Sequence, residues 1–195
     1  MTGEHVGLSG AKVVVVELET ERLRLRPIEL SDADDLFALH QDPAMMHYFG
    51  DGHVYGADES RTWLEWHVGM WGMEGFGFFS AVLEAEGTFV GWLGLNRVLD
   101  DPDLQGSTEV GWFVDRRLWG QGLATEGARA AVTYGFATLG LQRIIARYRT
   151  DNLASGRVME KIGMKYWQEV PNTEVPGTTV TLYEISGSEW TGSES

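Results

Sequence analysis

The feature that most narrows the fold is a junction near the middle of the chain. Glu109-Val110-Gly111-Trp112-Phe113-Val114 is a strand-like apolar stretch, and over 123–139 the apolar residues fall at 124, 128, 131, 132, 136 and 139, the spacing of one helix face. A strand that feeds an amphipathic helix through a short turn lays that helix on a sheet, so the chain is α/β in kind. The turn, Asp115-Arg116-Arg117-Leu118-Trp119-Gly120-Gln121-Gly122, carries two glycines at the helix entrance. Glycine lets backbone approach a ligand closely, and the first amides of a helix are unpaired at the positive end of its dipole. That combination suits a phosphate group.

The flanking pattern completes one sheet. Residues 21–26 alternate with period two and predict a strand ended by Pro27. Ser31-Asp32-Ala33-Asp34 predicts a capped helix through Gln41, stopped by Asp42-Pro43, with 44–57 irregular. Asp58 is expected to cap a second helix carrying Trp63, Leu64, His67 and Met70. Residues 76–83 and 88–99 read as a hairpin through Glu84-Ala85-Glu86-Gly87. After Gly140, 143–150 is a strand, 152–162 a short helix ended by Gly163, and 165–170 and 178–185 the last strands. This order predicts a mixed α/β sheet with helices on both faces. A length of 195 residues suits a single domain, expected over 12–187 between a loose terminus, 1–11, and a tail, 188–195.

Composition removes several functions. There is no cysteine, which excludes disulfide frameworks, thiol nucleophiles and thiolate metal sites together. The five histidines, at 5, 40, 47, 53 and 67, lack metal-ligand spacing, so no metal is expected. No stretch approaches the roughly 20 apolar residues of a membrane span, and the first ten residues lack the regions of a signal peptide. A cytoplasmic protein with no membrane association is expected. The net charge of −14 opposes nonspecific binding to nucleic acid. Its distribution is uneven, because residues 116–165 hold 9 Lys+Arg against 3 Asp+Glu, while residues 1–115 hold 6 against 21. The basic segment contains the glycine turn, so charge and backbone both favour a small polyanion.

Two nucleotide folds can be tested against the letters. A P-loop needs Gly-x4-Gly-Lys-Ser/Thr, and no such run occurs. A dinucleotide fold needs glycines directly after the strand and a third small residue where Thr125 stands; Asp151 could serve as its acidic partner, but the insert 116–119 fits poorly.

Four segments in order resemble one family. They are Leu23-Arg24-Leu25-Arg26-Pro27, Glu109 to Val114, Trp119-Gly120-Gln121-Gly122-Leu123-Ala124-Thr125-Glu126, and Asn152-Leu153-Ala154-Ser155 followed by Glu160-Lys161-Ile162-Gly163-Met164. Over about 18–185 the chain resembles the GNAT superfamily of N-acetyltransferases, in its RimJ/RimL-like branch, which acetylates protein N-termini or small amines. The resemblance implies a mostly antiparallel sheet of about seven strands with a V-shaped split between the central ones. It implies acetyl-coenzyme A as co-substrate, with the pyrophosphate over Gly120, Gln121, Gly122, Leu123, Ala124 and Thr125 and Arg117 beside them. Phe113 and Val114 would offer strand-edge bonds to the pantetheine arm, and Asn152 and Ser155 would meet it from the other side. Trp119 stands where the family's motif has Arg or Gln, a departure common in this branch, and Met159 where many relatives have a tyrosine acid.

Acetyl transfer to an amine needs a proton acceptor, a donor to the carbonyl oxygen and a donor to the leaving thiolate, with no covalent nucleophile. Glu109 is the expected base and Ser155 the expected acid, the latter on the analogy of RimL-like enzymes. The acceptor, a small cationic amine or a peptide N-terminus, is expected to meet the acidic first half through His47, Tyr48, Trp63, His67, Trp71 and Asn96. The many aromatics in regions expected to be exposed are compatible with a homodimer. A noncatalytic module that binds the acyl coenzyme is the competing reading, and a nucleotide-binding domain is a third.

Overall fold

The computed structural model describes residues 4–6, 12–14, 16–99 and 101–192. Its centre is an eight-stranded sheet in the order β3-β4-β5-β6-β7-β8-β10-β9, formed by β3 (Leu18–Glu19), β4 (Leu23–Pro27), β5 (Phe78–Leu83), β6 (Phe89–Arg97), β7 (Thr108–Val114), β8 (Arg143–Arg149), β9 (Lys165–Pro171) and β10 (Thr179–Ser186). The strand added to the expected seven is the two-residue β3, too short for periodicity to reveal. A separate ladder pairs β1 (Glu4–Val6) with β2 (Lys12–Val14), so part of the stretch expected to be loose is paired, while 1–3 and 7–11 lie outside the described residues.

Every neighbouring pair in the large sheet is antiparallel except β7 and β8, which run parallel and are in register only at Glu109↔Ile145. A parallel pair needs a crossover, and α4 (Leu123–Ala137) supplies it. Beyond Glu109 the two strands part, and that wedge is the expected V-shaped split.

Side-chain alternation sorts the two faces. Val110 and Val114 of β7 join Leu93, Leu95 and Ile144 in a core under α4. Gly127 and Gly135 let the helix settle there, since a Cβ on Gly127 would stand 2.2 Å from Leu93 and one on Gly135 2.8 Å from Ile144. Phe113, Trp92 and Phe78 point to the opposite face and pack with Leu36, Met46 and Leu64 from α1 (Ala33–His40), α2 (Pro43–Met46) and α3 (Ala57–Glu74). The last helix, α5 (Leu153–Lys161), follows β8.

Three helix boundaries differ from expectation, each for a local reason. Asp42-Pro43 ends α1 but also begins α2, because the Asp42 carboxylate accepts from the Ala44 amide and proline fits the first helical position. The start of α3 lies at Gly56, whose amide donates to the Glu59 carboxylate, so Asp58 falls inside the first turn. The capping box expected of Ser31 and Asp34 sits two residues earlier, between Glu29 and Asp32, and Asp32 is no solvent-facing residue. It is buried, accepting from Arg26 at 2.9 Å, from Ser80 at 2.6 Å and from the Glu29 amide at 2.9 Å.

Candidate active site

Where β7 and β8 part, a cleft of about 1040 Å³ opens between the turn into α4 on one side and the α2–α3 region on the other. Glu109 lies at the vertex. Its carboxylate accepts from the Arg147 guanidinium, reaching over from β8, at 2.8 Å (Nη2) and 3.2 Å (Nε). The sequence gives no signal for this partner, which is thirty-eight positions away and on another strand.

One limb of the cleft is made of main chain. Gly120 and Gly122 have φ of +76° and +83°, the left-handed region that costs a β-carbon, and a Cβ on Gly120 would meet nothing within 4 Å. Gly122 is the N-cap of α4 and offers no side chain to its amides, which leaves the start of the helix open to the cleft at Leu123, Ala124 and Thr125. The turn is braced from outside. Glu126 accepts from the Thr20 hydroxyl at 2.6 Å and the Arg22 amide at 2.8 Å, and the Arg22 guanidinium pairs with Glu126 while donating to the Gln121 carbonyl at 2.8 Å. Burial opposes ionisation of Glu126, but the bonds from Thr20 and Arg22 outweigh it and hold its carboxyl below the usual range.

The open edge of β7 has a definite phase. Asp115 donates to the Val90 carbonyl at 2.8 Å, and ladder alternation then turns the amides and carbonyls of Gly111 and Phe113 towards β6 and those of Trp112 and Val114 towards the split. Trp119 uses that phase, donating its indole N–H to the Val114 carbonyl at 2.6 Å. Of the two strand-edge positions expected at the pantetheine arm, Val114 therefore faces the split, while Phe113 contributes a ring to the aromatic side. Across the cleft, Asn152 and Ser155 open α5, and the Asn152 side chain accepts from the Ser155 amide at 3.3 Å.

The other limb is made of side chains. Trp63 and His67 from α3, Phe78 from β5, Trp92 from β6 and Phe113 from β7 form a continuous wall, with ring centroids 4.0 Å apart for Trp63 and His67 and 4.3 Å for Phe78 and Trp92. Tyr48 and Asn96 also line it. Burial pushes the His67 imidazole down to about 4, and does the same to His40 behind the wall, so both are neutral at pH 7.

Four expected site residues are not on the cleft. Trp71 is a core residue whose indole donates to the Phe78 carbonyl at 2.8 Å. His47 turns outward against Tyr48 and gives only its carbonyl, at 2.6 Å, to Arg149. The Arg117 guanidinium is folded back on Asp115 at 2.8 Å, and Gln121 has its carbonyl held by Arg22. Met159 is a buried core side chain, whereas Tyr148 of β8, which sequence reasoning did not single out, brings a phenol to the cleft wall beside Gly156. Among the described residues no group of three or more His, Asp or Glu could hold a metal ion, and no helix is long and apolar enough to cross a membrane.

The description "Acetyltransferase (GNAT) domain" matches residues 22–165, which contain the split strands, the glycine turn and both walls. The chain belongs to the GNAT acetyltransferase family. Among curated relatives of this GNAT protein, the FsC-acetyl coenzyme A-N(2)-transacetylase of Aspergillus fumigatus is 34% identical over 185 residues, 89% of this chain and 77% of that one. A solved GNAT-family acetyltransferase from Bacillus anthracis superposes with a TM-score of 0.75 at 26% identity, covering 89% of this chain and 100% of the other. RimL, a ribosomal L7/L12 alpha-N-protein acetyltransferase solved with coenzyme A, shares the GNAT fold with a TM-score of 0.73 at 17% identity, over 88% of this chain and 98% of that one.

Proposed function

We propose that this GNAT protein transfers an acetyl group from acetyl-coenzyme A to a primary amine by direct attack, with no covalent enzyme intermediate. The observation that carries the reading is the position of Glu109 at the vertex where β7 and β8 part, between a main-chain limb and an aromatic limb. The residues present fit the coenzyme. Gly120 leaves open space, α4 begins without a side-chain cap, and Val114 faces the split. When bound, the coenzyme supplies a thioester.

In this reading the amides of Gly120 and of 122–125 hold the pyrophosphate, Asn152 and Ser155 flank the pantetheine arm, and the Val114 amide donates to the acetyl carbonyl oxygen. Glu109 removes a proton from the incoming ammonium, directly or through water, and Arg147 orients its carboxylate. Ser155 donates a proton to the departing thiolate, which leaves as the thiol.

The test is Glu109→Gln, assayed by thiol release with acetyl-coenzyme A and an accepted amine. The expected outcome is a fall in kcat/KM of at least about a hundredfold with altered pH dependence and unchanged coenzyme affinity. An unchanged rate and pH profile would remove Glu109 from the role of base. Coenzyme binding with no thiol released to any amine would make the chain a binding module instead.

A further inference from the structure

Asn96 and Glu109 face each other across β6 and β7, as do Trp92 and Phe113, and between these two pairs lies Gly94 opposite Gly111. One face of the sheet therefore reads, in register, aromatic pair, glycine pair, polar pair. Both Gly111 and its aromatic neighbours line the cleft. A Cβ at 111 would already touch the Phe78 ring at 3.4 Å and Trp92 at 3.6 Å, so any larger side chain would project between the rings and the carboxylate. The missing side chains leave the rings open towards Glu109.

The polar end of this row has one unspent acceptor. The Asn96 Oδ1 is buried and takes no hydrogen bond from the described residues, and an orphaned buried acceptor is costly unless a ligand supplies the donor. The aromatic end has no charge. Its titratable members, His40 and His67, are neutral, and the Glu109 charge is already matched by Arg147. The other carboxylates lining the cleft, Asp101, Asp151 and Glu174, belong to connecting turns and not to the aromatic wall. A second ammonium group placed among these rings would be desolvated without a partner.

We infer that the acceptor is a primary amine carried on a ring-sized apolar group, with the ring packed against Phe78, Trp92 and Phe113 over Gly111 and the amine between Asn96 Oδ1 and Glu109. This rests on the acetyl-transfer reading and narrows it. The ammonium gives one proton to Glu109, the nitrogen lone pair forms the N–C bond as the C–S bond breaks, and the nitrogen's second proton is lost as the thiolate gains one. The products are an amide, the free thiol and one released proton. Proton removal by Glu109 supplies the neutral amine that the attack requires.

The experiment compares 2-phenylethylamine with spermidine and with alanyl and seryl peptides, by thiol release and by calorimetric binding to the coenzyme A complex. The expected result is a kcat/KM for phenylethylamine at least about tenfold above the others, lost in Gly111→Val and partly lost in Gly111→Ala, with coenzyme affinity and melting temperature held. Equal or better turnover of spermidine or the peptides overturns the inference, as does an advantage that survives Gly111→Val. If no amine is turned over, the calorimetric arm decides. Phenylethylamine binding that Gly111→Val abolishes would uphold the site and refute catalysis, whereas no binding would refute the site.

Discussion

The two limbs of the cleft are built from different material. On the side of the glycine turn the groups presented are main-chain amides, set by Gly120 and Gly122 and braced by ion pairs outside the cleft, Arg22 with Glu126 and Arg117 with Asp115. On the aromatic side they are rings from four elements, α3, β5, β6 and β7, with the neutral His67 among them and the neutral His40 behind. A backbone site tolerates side-chain change but not loss of the conformation. A side-chain site has the opposite tolerance. In the proposed function the first kind holds the coenzyme and the second chooses the acceptor.

Acid is the largest lever that separates them. An unfolded histidine titrates near 6.5, whereas burial holds His40 and His67 down at about 4. Between those values the unfolded chain binds protons that the folded chain does not, so stability is unaffected above about pH 6.5 and falls as the pH drops, by roughly 3 kcal/mol per histidine once pH 4 is reached. The carboxylates bracing the other limb, Glu126 and Asp115, are shifted downward, so their contribution is lost only at lower pH. Melting curves from pH 7 to pH 4.5 are expected to fall steeply, and His40→Gln and His67→Gln each to flatten the slope. A slope unchanged in both variants would place the acid sensitivity outside the aromatic limb.

Next in size is a change aimed at the main-chain limb alone. Gly122→Val forces a β-branched residue towards φ of +83° at the entrance of α4. The strain is on the order of 2 kcal/mol, and if the turn relaxes to relieve it the amides leave their positions, so coenzyme A is expected to bind about 30-fold more weakly by calorimetry. Acceptor-side fluorescence from Trp63 and Trp92 should not move. Unchanged coenzyme affinity would mean that the amides are not what holds it.

The same contrast explains what the letters could and could not reveal. A backbone site is encoded locally, because glycine spacing, a strand before it and a helix after it all fall within 109–139, and that limb was legible. The aromatic limb joins α3, β5, β6 and β7, and nothing local distinguishes Trp63, which lines the cleft, from Trp71, eight residues on along the same helix, which packs on Phe79 away from it. His47 and Tyr48 are adjacent, yet only the second faces the cleft. The partner of Glu109 was equally hidden, because Arg147 meets it through the crossover of α4. The letters place the capping box at Ser31 and Asp34, whereas it closes between Glu29 and Asp32, whose other partners Arg26 and Ser80 come from β4 and β5.

The smallest expected effect concerns charge, where the two limbs share a boundary. The excess of cations over 116–165 suggested a field for a polyanion, but much of it is spent at home: Arg116 on Asp42, Arg143 on Glu184, Arg147 on Glu109, Arg149 on Asp151 and Lys165 on Glu189. Arg157 and Lys161, one turn apart on α5, line the cleft, and no ion pair is found for either among the described residues. They are the cations left to meet a phosphate. Each sits near solvent, where a single charge contributes about 0.5–1 kcal/mol and is screened by salt, so Arg157→Gln or Lys161→Gln should weaken coenzyme A binding only about threefold. The diagnostic is the salt dependence: the slope of log affinity against log salt should flatten in both variants while remaining unchanged in Arg117→Gln, whose charge is already held by Asp115. Equal flattening in Arg117→Gln would mean that the whole basic segment acts as a diffuse field and that α5 has no special part in binding.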